Sequence, residues 1–401
     1  MIEFGTLRRA KRGLAAAGLA LAGMAWLIGC GGGGGVDTGG TGAFQAYTQG
    51  SIAGYGSIVV NGVHYDETQS RISDDDGQLL SVADLQLGIV VQIDSSHFDA
   101  QALTATADAI RISSALAGPV SAVDPVANTL TMLGQTVKVT QLTFFDSVLA
   151  GGLPQVTVNS LVEVYAIYDP VSNVYAARRI ESRPSLAAYK VRGQVQAIDR
   201  LTQTCRIGTE TYSYAPGPAP EDLANGQELR FNLLTVRDAQ GRWQISSGTK
   251  ADARPADGSQ VEIESVITRY DALSSFTLSG LTVDASQALV TPTGALLSAG
   301  VQVEVEGVMR GGVLQAAKLE VRPHDDGDDS EQEIEISGKI TAIDTQAKTL
   351  IIRGQVISYA SGVSYSGGGE ADLAVGKKIE LTGVLAGDGI QILATEIQFD
   401  D

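Results

Sequence analysis

Few groups in this chain can do chemistry: two cysteines, three histidines, two dense acidic runs and a set of recurring aspartates. His64, His97 and His324 stand in neither a metal-helix nor a nucleophile-elbow spacing, so no hydrolase centre is expected of them. Asp74-Asp75-Asp76-Gly77 and the run from His324 to Glu331 are dense enough in carboxylates to gather a hard cation weakly. Neither fits a calcium loop. The first has Ile72 at a ligand position and lacks the bidentate glutamate at the twelfth place. The second offers Asp325, Asp326, Asp328 and Asp329 as weak metal candidates, and reads better as a charged, flexible linker. Asp124, Asp199, Asp271 and Asp344 recur in phase, but each stands where a hairpin turns, a place where aspartate caps its own backbone. Cys205 aligns with Leu130 and Leu350 and is expected as a core thiol. Tyr165, Tyr168, Tyr212, Tyr214, Tyr359 and Tyr365 offer a carbohydrate-stacking face, although their period-two placement favours packing inside a sheet. No catalytic residue and no cofactor follows from these patterns.

Cys30 differs from these groups because its context assigns it a chemistry. Arg8, Arg9, Lys11 and Arg12 form a basic start, and Leu14 to Ile28 form an apolar run too short to span a bilayer as a stable helix. Leu27-Ile28-Gly29-Cys30 resembles the bacterial lipobox, which implies acylation of the Cys30 thiol and a lipid anchor rather than a spanning helix. Gly31 in place of aspartate after the cysteine implies transfer to the outer membrane. The glycine-rich stretch that follows is a flexible tether. Removing residues 1–29 leaves 24 basic against 45 acidic groups, a formal charge of −21. That sign disfavours a nucleic-acid partner, whose phosphates need lysine and arginine to displace counterions. Only one cysteine remains beside Cys30, so no intrachain disulfide is expected and stability must come from apolar burial.

The elements that carry these residues repeat. Gly88, Asn159, Gly226, Gly300 and Gly376 each precede a strand whose third and fifth following residues are apolar. The pairs are Val91 and Ile93, Val162 and Val164, Leu229 and Phe231, Val303 and Val305, and Ile379 and Leu381. Polar Gln92, Glu163, Arg230, Glu304 and Glu380 lie between them, so the alternation predicts antiparallel strands with one face on a core and one in water. Asparagine is the one substitute for glycine at the marked turn, in keeping with a positive φ there. Upstream, Gly118-Pro-Val120, Gly193-Gln-Val195 and Gly338-Lys-Ile340 open a second repeating motif that ends on the recurring aspartate. Ser265 to Asp271 is a weaker copy, and Gly50 to Gly56 the most degenerate. Each runs on into a hairpin with a tight glycine turn.

Five copies of about 70 residues follow, each long enough for its own core. Each has a first strand, a hairpin, a loop with a helical turn such as Val82–Leu85, Glu221–Ala224 or Glu370–Leu373, and two more strands. That order predicts an all-β chain of tandem, five-stranded OB-like barrels on a flexible N-terminal tether, with an open sandwich as the alternative. The expected boundaries are 1–29 for the signal peptide, 30–48 for the lipidated cysteine and tether, and 49–114, 115–185, 186–256 and 257–323 for repeats 1 to 4. An acidic linker at 324–333 and repeat 5 at 334–401 complete the chain.

Gly300-Val301-Gln302-Val303-Glu304-Val305-Glu306-Gly307, followed by Leu314 to Glu320, resembles the domain of unknown function family 5666. The likeness extends over nearly all of the chain after Cys30, in tandem copies of the kind found in proteobacterial lipoproteins. Repeat 1 departs from it by a shortened hairpin, and repeat 3 by the loop Ala215-Pro216-Gly217-Pro218-Ala219-Pro220. The function expected is that of a non-catalytic binding or structural module of the envelope, anchored in the outer membrane and facing the periplasm or the cell surface. Its partners would be the membrane, through the lipid, and a protein or polysaccharide of the envelope. Weak calcium or carbohydrate binding is the alternative, and an unrecognised enzyme the second alternative.

Overall fold

The computed structural model describes residues 46–99, 101–250, 255–322 and 333–399. Cys30, the tether up to residue 45, and His324 with Asp325, Asp326, Asp328 and Asp329 lie outside them. Repeat 2 shows the plan of every copy. Its first strand, Leu116–Asp124, pairs antiparallel with Thr129–Met132, which pairs with Gln135–Lys138. Val174–Ser182 lies parallel to Gln135–Lys138 and antiparallel to Leu161–Asp169, and Leu161–Asp169 returns to the first strand. The ring closes in strand order 1-2-3-5-4-1, an OB-type barrel, and the other four repeats close in the same way.

Each first strand changes partner halfway along, and the marked residue sits at that change. Gly88, Asn159, Gly226, Gly300 and Gly376 all have positive φ, from 72° to 92°. Their N–H groups donate to the carbonyls of Ile52, Val120, Val195, Ile267 and Ile340, at 2.8–2.9 Å. The N–H of each of those five residues donates back, at 2.9 Å, to the carbonyl that follows the marked residue. This two-bond clasp ties the fourth strand to the bend of the first and recurs without exception. The ten apolar side chains that follow the marked residues are all buried, none more than 1% exposed.

Repeat 3 departs where its sequence does. Elsewhere a short strand, such as Arg71–Asp74 or Leu289–Thr291, runs parallel to the end of the fifth strand. In repeat 3 Pro218 and Pro220 have no N–H to donate to such a ladder, and a Cβ on Gly248 would lie 2.8 Å from Pro220. The helical turn expected at Glu221–Ala224 is a plain turn with Asp222 at φ 60°, whereas Val82–Asp84 and Glu370–Asp372 are 3-10 turns.

Three expectations need correction. The first strand begins at Ala46, inside the stretch assigned to the tether, because Ala46–Gln49 pairs with Gln260–Ile263 of repeat 4 as well as with its own barrel. Likewise Glu333, assigned to the linker, opens a strand opposite Val384. The barrels also do not keep five separate cores. Buried side chains of repeats 1 and 5, with Phe144 and Tyr165 of repeat 2, form one cluster, the other buried side chains of repeats 2 and 3 a second, and those of repeat 4 with Tyr47 a third. The polar face is correspondingly less wet than alternation predicts: Gln92, Arg230 and Glu304 are buried, with Arg230 set against Asp76 of repeat 1 and Glu304 paired with Arg322.

The clasp sets a direct test. A Cβ on Gly226 meets nothing within 4 Å, so substitution there acts through φ alone. Gly226→Val should destabilise the protein by about 1–2 kcal/mol, and Gly226→Asn by much less, as Asn159 already shows at the same position. Denaturant melts of the two variants, compared with the parent, measure the difference.

Candidate functional site: the polar junction between barrels

The acidic run of repeat 1 lies at the centre of the molecule's polar chemistry. Asp74 caps its own turn, accepting from the N–H groups of Asp76 and Gln78 at 2.9 and 2.8 Å. Asp76 reaches repeat 3, where it meets Lys190 Nζ at 2.9 Å, Arg230 Nη1 at 2.8 Å and Asn232 Nδ2 at 3.0 Å. Burial alone would raise the Asp76 carboxyl, but those three hydrogen bonds outweigh it and hold the group well below the usual range. Asp75 accepts from Ser113 at 3.2 Å, and burial raises it despite Arg192, Arg230 and Lys190. The run is therefore a docking element for repeat 3, with Asp76 held by its cations, Asp75 by Ser113 and Asp74 by its own turn.

Other charged side chains reach across repeat boundaries, by ion pairs or by hydrogen bonds to backbone. Arg179 of repeat 2 pairs with Glu181 at 2.6 Å and donates to the Leu87 carbonyl of repeat 1 at 3.1 Å. Arg178 meets Glu264 of repeat 4 at 3.6 Å, and Arg353 of repeat 5 meets Glu67 of repeat 1 at 3.3 Å. Around this junction lie three cavities. One of about 580 Å³ opens between the outer sheet face of repeat 1 and Arg230, Thr249 and Lys250 of repeat 3. A second, of about 320 Å³, adjoins Asp74 and is walled by Tyr165, Arg183 and Lys190. A third, about 40 Å³, is enclosed where repeats 1 to 4 meet and has room for a water molecule or two.

Repeat 4 carries a cluster that composition and spacing did not single out. Glu262, Glu304 and Glu306 bring carboxylate oxygens within 4.8 Å of one another, the one such group among the described residues. Glu306 is also held by Lys318 at 2.7 Å, and Glu304 by Arg322. Burial pushes Glu262 up to about 9, with Glu304 and Glu306 adding to the effect and Lys318 and Thr48 opposing it. The signal in the sequence was the pairing of two Glu-x-Glu strands: Glu262 stands opposite Glu306, and Glu264 opposite Glu304.

The remaining sequence candidates fall into place singly. Asp124, Asp199 and Asp344 cap their turns, each accepting two backbone N–H groups. Asp271 instead pairs with Arg269 at 2.6 Å. Cys205 is buried, and burial pushes its thiol up to about 12, which leaves it inert at neutral pH. Tyr165, Tyr212, Tyr214 and Tyr359 are buried as well, so the tyrosines form no exposed stacking face. His97 is exposed and hydrogen-bonds Ser96. His64 has Ser57 Oγ at 3.4 Å from one ring nitrogen and Glu335 at 3.4 Å from the other. Such a chain resembles a nucleophile, base and orienting acid, but both contacts are long, and it lines none of the three cavities.

These barrels define the class of protein: a tandem array of OB-type folds joined through buried polar contacts. The family model described as Domain of unknown function (DUF5666) matches residues 117–181, 264–320 and 337–398. These matches, one in each of repeats 2, 4 and 5, are consistent with tandem copies of that domain. Repeats 1 and 3, outside those matches, are the copies with the shortened hairpin and the proline loop. The comparison with curated proteins finds no match. Among solved structures, the chain is similar to "drosophila Unr CSD456", at 14% identity over 54% of this chain and 98% of that one, with a TM-score of 0.14. It is also similar to a multidomain protein with nucleic acid binding domains from Streptococcus pneumoniae, at 16% identity over 52% of this chain and 72% of that one, TM-score 0.14.

Glu262 makes the junction of repeats 1 and 4 sensitive to pH. A carboxyl whose folded pKa is raised contributes stability fully below its unfolded value, about 4.5, and loses it as pH rises toward 9. Glu262→Gln should therefore melt near the parent's temperature at about pH 5 and progressively above it as pH approaches about 9. Thermal melts of both proteins across that range check the sign.

Proposed function

We propose that this chain is a lipoprotein of the outer membrane that serves the cell envelope as a non-catalytic binding or structural module. The observation that carries the reading is where the charged side chains go. Asp76, Arg178, Arg179, Arg230 and Arg353 meet partners across repeat boundaries, which makes them joints between barrels rather than a reacting set. What the junction leaves open is a polar cleft of about 580 Å³, within the range of ligand sites. Cys30 supplies the anchor in this reading. No helix among the described residues is long and apolar enough to cross a membrane, and the acidic surface suits neutral or locally paired envelope polymers better than nucleic acid.

The anchor is testable by itself. Cys30→Ser should leave the protein unlipidated, so that it leaves the membrane fraction and appears in the soluble envelope extract. Retention of the variant on outer membranes after a high-salt wash would overturn the lipid-anchor reading.

A further inference from the structure

The large cleft between repeats 1 and 3 differs from the rest of the junction in one respect: it contains guanidinium groups without a carboxylate bonded to them. Arg71 and Arg111 project from the same outer face of the repeat 1 sheet. Arg71 stands opposite Ala109, and Arg111 opposite Ser73 on one side and Gln92 on the other. They are diagonal neighbours over the small side chain of Ala109. Arg111 donates to Gln92 Oε1 at 3.0 Å. Arg71 is exposed and makes no hydrogen bond or ion pair among the described residues. By contrast, Arg230 on the facing wall is bonded to Asp76, and Lys250 to Asp222 at 3.0 Å. A guanidinium fork matches a carboxylate by two parallel hydrogen bonds, and here two forks lie side by side, that of Arg71 unengaged and that of Arg111 bonded to the neutral Gln92 amide.

We propose that this cleft takes an acidic oligosaccharide, with Arg71 and Arg111 holding its uronate carboxylates. The proposal rests on the envelope-module reading and names its ligand. The rest of the lining selects the class. Ser73 and Thr249 present hydroxyl groups, which suit a polyhydroxylated ligand. The apolar lining is limited to Ala109 and Ile110, too little to seat the apolar anchor on which peptide recognition depends. With no aromatic ring in the cleft for a neutral sugar to stack on, charge must supply the affinity. The chain's net charge of −18 opposes an anion at long range. At physiological salt that field decays within about 8 Å, so contact pairs inside the cleft dominate. Asp74, Asp75, Asp76 and Asp94 also line the cleft and oppose an anion. Asp76 is already paired with Lys190 and Arg230, and Asp74 caps its own turn. Asp94 shares the face of the two arginines, where burial raises its pKa and Arg111 lowers it, while Asp108 adds to the rise.

Calorimetric titration of the unlipidated Cys30→Ser chain with tetragalacturonate, maltotetraose and tetraglutamate tests this. Tetragalacturonate should bind, and the double variant Arg71→Gln, Arg111→Gln should bind it at least tenfold more weakly with an unchanged melting temperature. Asp94→Asn should tighten binding severalfold by removing the like charge. Failure of tetragalacturonate to bind, or undiminished binding by the double variant, overturns the proposal. Equal affinity for maltotetraose overturns the need for the carboxylate, and equal affinity for tetraglutamate overturns the saccharide. The envelope-module reading fails by a separate readout, membrane retention of Cys30→Ser, so the two failures are distinguishable.

Discussion

The structure depends on the pair of backbone hydrogen bonds at the bend of each first strand. An OB-type barrel closes only if its first strand serves two neighbours, the fourth strand along one half and the second along the other. At the crossover the backbone must turn without leaving N–H and C=O groups unpaired inside the barrel. A residue in the left-handed region achieves this by presenting its N–H to Ile52, Val120, Val195, Ile267 or Ile340, while the next carbonyl accepts in return. Glycine or asparagine is required there because a β-branched side chain at positive φ is strained. Once the bend is fixed, the two apolar residues that follow are aimed inward.

The same bend leaves part of the first strand's outer edge free, and the molecule uses that edge for assembly. Ala46–Gln49 takes Gln260–Ile263 of repeat 4 in parallel, and Gly54–Tyr55 takes Glu335–Ile336 of repeat 5. Leu116–Ala117 takes Lys190–Val191 of repeat 3. Exposed strand edges are otherwise templates for aggregation, so mutual pairing removes a hazard while setting the order of the barrels. Gly54 permits one of these contacts outright, since a Cβ there would lie 2.5 Å from the Glu335 carbonyl. Charges cover the rest. Buried pairs are poor sources of net stability because desolvation opposes their attraction, but a wrong arrangement that left Asp76 or Arg230 unpaired would cost several kcal/mol. Their contribution is to register.

The sequence made legible whatever is local. Glycine or asparagine at the bend, alternation after it and aspartate at the hairpin turn all report φ, side-chain direction and turn capping within a few residues, and each recurred often enough to be read. What escaped was set by residues far apart in the chain. Asp76 reads as solvated because Arg230 and Lys190 lie more than a hundred positions away. Glu304 reads as a wet-face residue because nothing beside it announces that Arg322, 18 positions on, pairs with it. Glycines 54 and 56 made the first repeat look degenerate, whereas they mark where repeat 5 lies against it. Arg71 and Arg111 drew no attention because their significance is comparative: they stand out only once the other arginines of the junction are seen to be paired.

Whether the five barrels form one body in solution is settled most directly by small-angle X-ray scattering on the chain from Ala43 to Asp401, which forms a single compact unit. A joined assembly of this length should have a radius of gyration of about 21 Å. A flexible string of five separate barrels, each with a radius of gyration of about 11 Å, would exceed about 30 Å, and that result would contradict the shared junction.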